Sequence, residues 1–335
     1  MGFVDWVIEK AKSKPRRIVL PETEDERVLK AAGMIQAEKI APVILIGEPD
    51  KVSGNLKSLG ITDEFEIVDP AKASWTDDFA HEYFEMRKHK GITEQQAKAV
   101  MADYIPHGIM MLHKGKADGL VAGAAHSTGD TLRPALQILK TAPGVKIASS
   151  LFFMAFEDVT YLFADCGLVE DPDAEQLAEI AIATAQTAIG FEIEPIVALL
   201  SYSTKGSAKS HLTEKVVKAT ELAQQRAKEV FGADSKVRID GELQGDAALA
   251  ERVGRKKAPS SEVAGRAKIL IFPNLDAGNI AYKLTQYLAG ADAYGPIIQG
   301  TRLPINDLSR GCVPEDIVGV AAITVVQSHL LKQDA

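Results

Sequence analysis

Short apolar runs alternate along the chain with longer segments whose apolar residues recur every three to four positions. RIVL (17–20), VILI (43–46), GLVA (119–122), PIVALL (195–200) and ILIF (269–272) are continuous rather than alternating, as in strands covered on both faces. KIASSLFF (146–153), YLFA (161–164) and the stretches 66–68, 237–240 and 296–299 complete the predicted strands. Between them, residues 173–189 set Leu177, Ile180 and Ala181 on one helical face, with acids in the first turn. Segments 213–231, 276–288 and 313–331 read as helices by the same logic. A helix over 23–38 is expected to open on a Thr23 cap with Glu26 three residues on. This alternation predicts an α/β fold with a mainly parallel sheet.

At 335 residues the chain exceeds the size at which one core keeps growing, so two domains are expected. A net charge of −8 argues against a nucleic-acid binder but leaves room for a phosphorylated small molecule in a local basic pocket. Two cysteines, Cys166 and Cys312, are too few for a disulfide framework or a cysteine zinc site. The first residues lack the apolar core of a secretory signal, and no apolar run reaches the ~18–20 residues of a membrane span. A soluble, cytoplasmic protein is the expectation.

Four stretches could carry chemistry, since ligands of α/β sheets bind where strands lead into helices. In AGAAHSTGDTLRP (122–134), Ser127, Thr128 and Gly129 offer hydroxyls and backbone amides at a helix start, and Arg133 adds a cation one turn in. The same residues read equally well as a helix capped by Thr128 or Asp130. SYSTKGSA (201–208) lacks the GxxxxGK[ST] spacing of a phosphate loop. In FPNLDAGNIAYKL (272–284), Asn279 and Lys283 share a helical face. NDLSRGCVPEDIV (306–318) sets Ser309 and Arg310 before a helix whose first turn holds Asp316. That acid caps a helix start, yet it shares a stripe with Val320 and Ile323 and so should line a cleft. Arg87, in MRKHK (86–90), reads from its surroundings as a solvated helix end, and Cys312 as a packing residue or a thiol sensitised by Arg310.

Together, RIVLPETEDERVLKAA, ADGLVAGAAHSTGDTLRPALQI, DPDAEQLAEIA, DGELQGDAAL, FPNLDAGNIAYKL and GPIIQGTRLPINDLSRG resemble the phosphotransacetylase (phosphate acetyltransferase) family across nearly the whole chain. The resemblance implies reversible acetyl transfer between acetyl phosphate and coenzyme A (CoA), giving acetyl-CoA and inorganic phosphate. Phosphate butyryltransferase, or another short-chain acyl phosphate transferase, is the alternative. It implies two α/β domains of the isocitrate/isopropylmalate dehydrogenase type with the active site in a cleft between them. These would be residues 1–145 plus 296–335, and 146–295. It also implies a homodimer, no metal and no permanently bound cofactor. Carried across by position, Asp316 is the candidate base, Ser309 and Arg310 the transition-state pair, and Arg87 and Arg133 the CoA arginines. Ser127, Thr128, Asn279 and Lys283 join them as substrate-binding candidates.

An ordinary thiol near pKa 8.5 and an Asp near 3.9 lie about 4.6 units apart, which is roughly 6 kcal/mol against proton transfer. Desolvation of Asp316 and a cation beside the thiol would narrow that gap. Arg310 and the Ser309 hydroxyl suit the charge that develops on the acyl oxygen.

Overall fold

A computed structural model describes residues 2–333. Its strands run in chain order as β1 (Ile18–Leu20), β2 (Val43–Ile46), β3 (Glu66–Val68), β4 (Gly119–Ala122), β5 (Ser149–Ala155), β6 (Thr160–Ala164), β7 (Ile196–Leu200), β8 (Arg238–Leu243), β9 (Ile269–Ile271), β10 (Asp292–Gln299) and β11 (Ile305–Asp307). The chain divides into two compact units, residues 3–143 with the segment from 301 onward, and residues 144–300. The first unit's opening segment, expected to end at 145, ends at 143, and its closing segment, expected from 296, begins at 301. Ile297, Ile298 and Gln299 of β10 pair antiparallel with Leu151, Ser150 and Ser149 of β5, and that ladder holds them in the second unit.

The first unit has a five-stranded sheet in the order β11-β4-β1-β2-β3, parallel throughout. β1, β2 and β4 are buried along their whole length, as their unbroken apolar runs require. On one face Val19, Ile44, Ile46 and Leu120 pack with Ile105, Ile109 and Ile138 from helices. The Pro314–Gln333 helix is enclosed on nearly every side: Ile317, Val320, Ala321, Ile323 and Val325 are all buried. A helix apolar all round belongs in a core. Each fully buried Ile or Val there contributes about 1.5–3 kcal/mol.

The second unit has a six-stranded sheet in the order β10-β5-β6-β9-β7-β8. β5 runs antiparallel to both its neighbours, and the remaining pairs are parallel. Phe152 stacks on Tyr282 at 3.9 Å between ring centroids inside its core. Capping boxes at Asp173 and Ser210 start its two long helices, Ala174–Gly190 and His211–Phe231. The acids of DGELQGD are satisfied locally: Asp240 takes Lys205 and Ser261, and Glu242 takes Ser203 and the Gly206 amide.

Two local expectations change. The helix expected from Thr23 begins at Glu26, and its cap is Asp25, which accepts the Arg27 amide. Thr23 donates its hydroxyl to the Ile46 carbonyl at 2.7 Å, so it ties β1 to β2 and is lost to capping. β11 was not foreseen, because Asn306 and Asp307 break the apolar pattern. They are buried all the same, with the Asn306 amide donating to Thr324 Oγ1 and Gln327 Oε1. Among the described residues no helix is long and apolar enough to cross a membrane.

Candidate active site

In the first sheet the chain winds from β1 through β2 to β3 on one side, then places β4 and β11 on the other. Ligands of open α/β sheets bind beyond the strand carboxyl ends at such a reversal. Three loops leave the sheet there, following β1, β4 and β11. They carry Glu22, the 123–127 turn and the Ser309–Arg310 pair.

Glu22 is buried and organises the second loop. Its Oε2 accepts the amides of Gly123 and Ala124 at 2.9 Å, and its Oε1 accepts those of Ala125 and His126 at 3.0 Å. His126 Nδ1 lies 2.8 Å from the same Oε1. A carboxylate already taking four donors can only accept, so Nδ1 carries the proton. Gly123 has φ +106°, and a Cβ there would stand 2.1 Å from Asp307 Oδ1 and 2.7 Å from the Leu308 amide nitrogen. Only glycine lets the loops after β4 and β11 touch.

Arg27 fastens all three loops. Asp25 holds its guanidinium through Nε at 3.0 Å and Nη2 at 2.7 Å, and that hydrogen bonding keeps the Asp25 carboxyl below its ordinary range. Nη2 also donates to the Ala124 carbonyl at 2.7 Å, while Nη1 donates to the Arg310 carbonyl at 2.7 Å and the Cys312 carbonyl at 3.0 Å.

The hydroxyls of the second loop have partners within the protein. Ser127, rather than Thr128 or Asp130 as expected, caps the Thr128–Ile138 helix, in a reciprocal box with Asp130. Thr128 donates to Asp307 Oδ2 at 2.5 Å. The amides of Thr128 and Gly129, in the first helical turn, have no intrahelical acceptor and suit an anion. Asp307 is 1% exposed, and its Oδ1 finds no hydrogen-bond partner. Burial pushes its carboxyl up to about 6, against the pull of the Thr128 hydroxyl.

Ser309 and Arg310 are exposed on a turn closed by the Cys312 amide on the Ser309 carbonyl at 2.9 Å. Asp316 is half-buried and accepts the Val313 amide at 3.0 Å, capping the C-terminal helix. It sits at the rim of that helix while Val320 and Ile323 on its stripe lie in the core. Of the buried acids here, Asp307 is the one whose carboxyl burial raises.

Arg87, ending the Thr76–Arg87 helix, and Arg133, on the Thr128–Ile138 helix, line one pocket of about 500 Å³ with His89, Gln137 and Lys140. An adjoining pocket of about 530 Å³ adds Lys90 and shares Arg87 and Gln137. Cations from separate elements facing one cavity suit a ligand with several phosphates. Asn279 and Lys283 lie in the second unit, where Lys283 Nζ donates to Asn279 Oδ1 and Asn279 Nδ2 donates to the Cys166 carbonyl at 3.0 Å.

The sequence matches the phosphate acetyl/butaryl transferase family over residues 2–325. The chain belongs to this transferase family. It is 52% identical to a phosphate acetyltransferase of Acetivibrio thermocellus, over 99% of this chain and all of the relative. It superposes on the EutD phosphotransacetylase from Staphylococcus aureus with a TM-score of 0.89 and 45% identity, covering 97% of this chain and 98% of that one. A terephthalate 1,2-cis-dihydrodiol dehydrogenase from Burkholderia xenovorans LB400 shares the fold alone, with a TM-score of 0.51 at 11% identity over 94% of this chain and 99% of the other.

In this transferase Cys312 is 5% exposed, and burial pushes its thiol up to about 11 despite nearby Arg27. It stays a thiol at neutral pH, which disfavours it as a nucleophile. Glu22, Arg27, His126 and Asp307 were not singled out from the sequence. For Glu22 and Arg27 the usable signal was their place directly after the first buried strand. His126 and Asp307 had only the neighbouring candidates to point to them.

Proposed function

We propose that this transferase moves an acetyl group reversibly between acetyl phosphate and CoA. The observation that carries the reading is the Thr128–Ile138 helix, which starts at the switch-point loops and presents Arg133 to the cationic pocket. At ~1.5 Å rise per residue, Ser127 and Arg133 stand about 9 Å apart along it. CoA needs such an arrangement, with its phosphorylated nucleotide end held by Arg87 and Arg133 and its thiol delivered along the pantetheine arm to the loops. Acetyl is preferred to butyryl because the similar curated protein of A. thermocellus is a phosphate acetyltransferase.

In this reading Asp316 takes the thiol proton and the sulfur forms a bond to the acetyl carbon. The carbon–oxygen bond to phosphate then breaks. Arg310 and Ser309 stabilise the charge on the acyl oxygen. The first-turn amides of the Thr128–Ile138 helix receive the phosphate, with Ser127 and Thr128 shaping that turn. No metal or bound cofactor enters the scheme. The exposed stripe Ile280, Leu284, Tyr287 and Leu288 on the Leu275–Ala289 helix suits a second copy of the chain, so a homodimer is part of the proposal. Two unpaired cysteines fit a cytoplasmic setting.

The test is thioester absorbance from acetyl phosphate and CoA at neutral pH, with and without chelator. Asp316→Ala should lower kcat by about 100-fold or more with a smaller change in KM for CoA. Activity near wild type in that variant would remove Asp316 as the base.

A further inference from the structure

Arg310 can act on a developing charge only if its backbone is fixed, yet Ser309, Arg310 and Gly311 are all exposed. Apolar packing holds only the two ends of this turn, at Leu308 and Cys312, and not the three residues between them. Two bonds close it internally: the Cys312 amide on the Ser309 carbonyl at 2.9 Å, and the Gly311 amide on Ser309 Oγ at 3.3 Å. Neither bond sets where the turn sits against the rest of the site.

We propose that Arg27 is a positioning residue that fixes the Ser309–Arg310 turn in register with the loop after β4. Its Nη1 holds two carbonyls of the turn, those of Arg310 and Cys312, and its Nη2 holds the Ala124 carbonyl. Asp25 fixes the guanidinium itself from the other edge. Since Asp25 also caps the Glu26–Ala37 helix, the clamp is anchored to a rigid element beside β1. A planar, always-charged fork can satisfy three carbonyls and a carboxylate at once, whereas a lysine ammonium has three donors on one atom and cannot span them. The distance from the Ala124 carbonyl to the Arg310 carbonyl is thereby set by the width of one guanidinium. Glu22 holds the amide side of that loop, so Arg27 and Glu22 together immobilise the 123–126 turn from both sides.

The inference rests on the proposed role of Arg310, and the experiment separates the two. Arg27→Lys should fold, with near-wild-type far-ultraviolet circular dichroism, and should lose about 100-fold in kcat, the scale of a 1 Å misplacement of a reacting group. KM for CoA should stay within about threefold, because the Arg87–Arg133 pocket is untouched. Free guanidinium should restore part of the activity of Arg27→Ala, which a merely misfolded variant would not show. If Arg27 works through Arg310, adding Arg27→Lys to Arg310→Ala should cost less than about threefold more. Wild-type kcat in Arg27→Lys, or losses that multiply in the double variant, would overturn the clamp. Wild-type activity in Arg310→Ala would instead overturn the reading of the site on which the clamp depends.

Discussion

Asp307→Asn removes a buried charge and keeps the shape of the side chain. Burial raises the Asp307 carboxyl to about 6 from the usual 3.8. The native state therefore holds its proton more tightly than the unfolded chain does. For a raised carboxylate the sign runs against the common case: stability is present at low pH and falls as pH rises through the folded value. The full difference, 6 − 3.8, is about 2.2 units, or about 3 kcal/mol at ~1.36 kcal/mol per unit. About 1.4 kcal/mol of that appears between pH 5 and pH 8. Asparagine does not titrate, so the stability of Asp307→Asn relative to wild type should rise by about 1.4 kcal/mol over that interval. A constant offset is also expected, because the new amide inherits the unpartnered position of Oδ1. Only the slope carries the argument, and groups titrating elsewhere cancel from the difference. Urea unfolding followed by tryptophan fluorescence is the assay, since both tryptophans, Trp6 and Trp75, lie in the unit that contains Asp307. A difference that stays flat from pH 5 to pH 8 would refute the account of Asp307 as a desolvated acid.

Arg87→Ala and Arg133→Ala should each raise KM for CoA about 10–100-fold, from the loss of a charged hydrogen bond, with little change in KM for acetyl phosphate; steady-state kinetics with each substrate varied will tell. Gly123→Ala forces a methyl group against Asp307 Oδ1 and the Leu308 amide at a φ of +106°, and should cost about 2–4 kcal/mol in urea unfolding along with most of the activity. Cys312→Ala should retain kcat, and the native thiol should alkylate slowly at pH 8, because its pKa stands near 11 and it is buried. Rapid, inactivating alkylation of Cys312 would revive a covalent role for it.

The apolar runs of β1, β2 and β4 announced buried parallel strands, because a strand covered on both faces has no polar side to alternate with. The helices over 174–190 and 314–333 were equally legible, from spacing and from the acids or proline at their starts. Ser309, Arg310, Asp316 and Arg133 stood out from the residues themselves; the resemblance gave them roles by position and added Arg87. Their chemistry was readable, but not their surroundings. Asp316 was expected to line a cleft beside its core stripe and is a half-buried helix cap, while Asp307, nine residues earlier at the end of an unforeseen strand, is the acid whose carboxyl burial raises. Periodicity reports which face of an element is apolar. It cannot report that a polar residue is buried by a neighbour far along the chain. Asp307 is enclosed because β11 pairs with β4, and Arg27 matters because the loops after β1, β4 and β11 leave one end of the sheet together. Strand order is a property of long-range pairing, so the sequence alone supplied the elements and the reacting groups, and tertiary structure decided which of those groups lose water and what holds them in place.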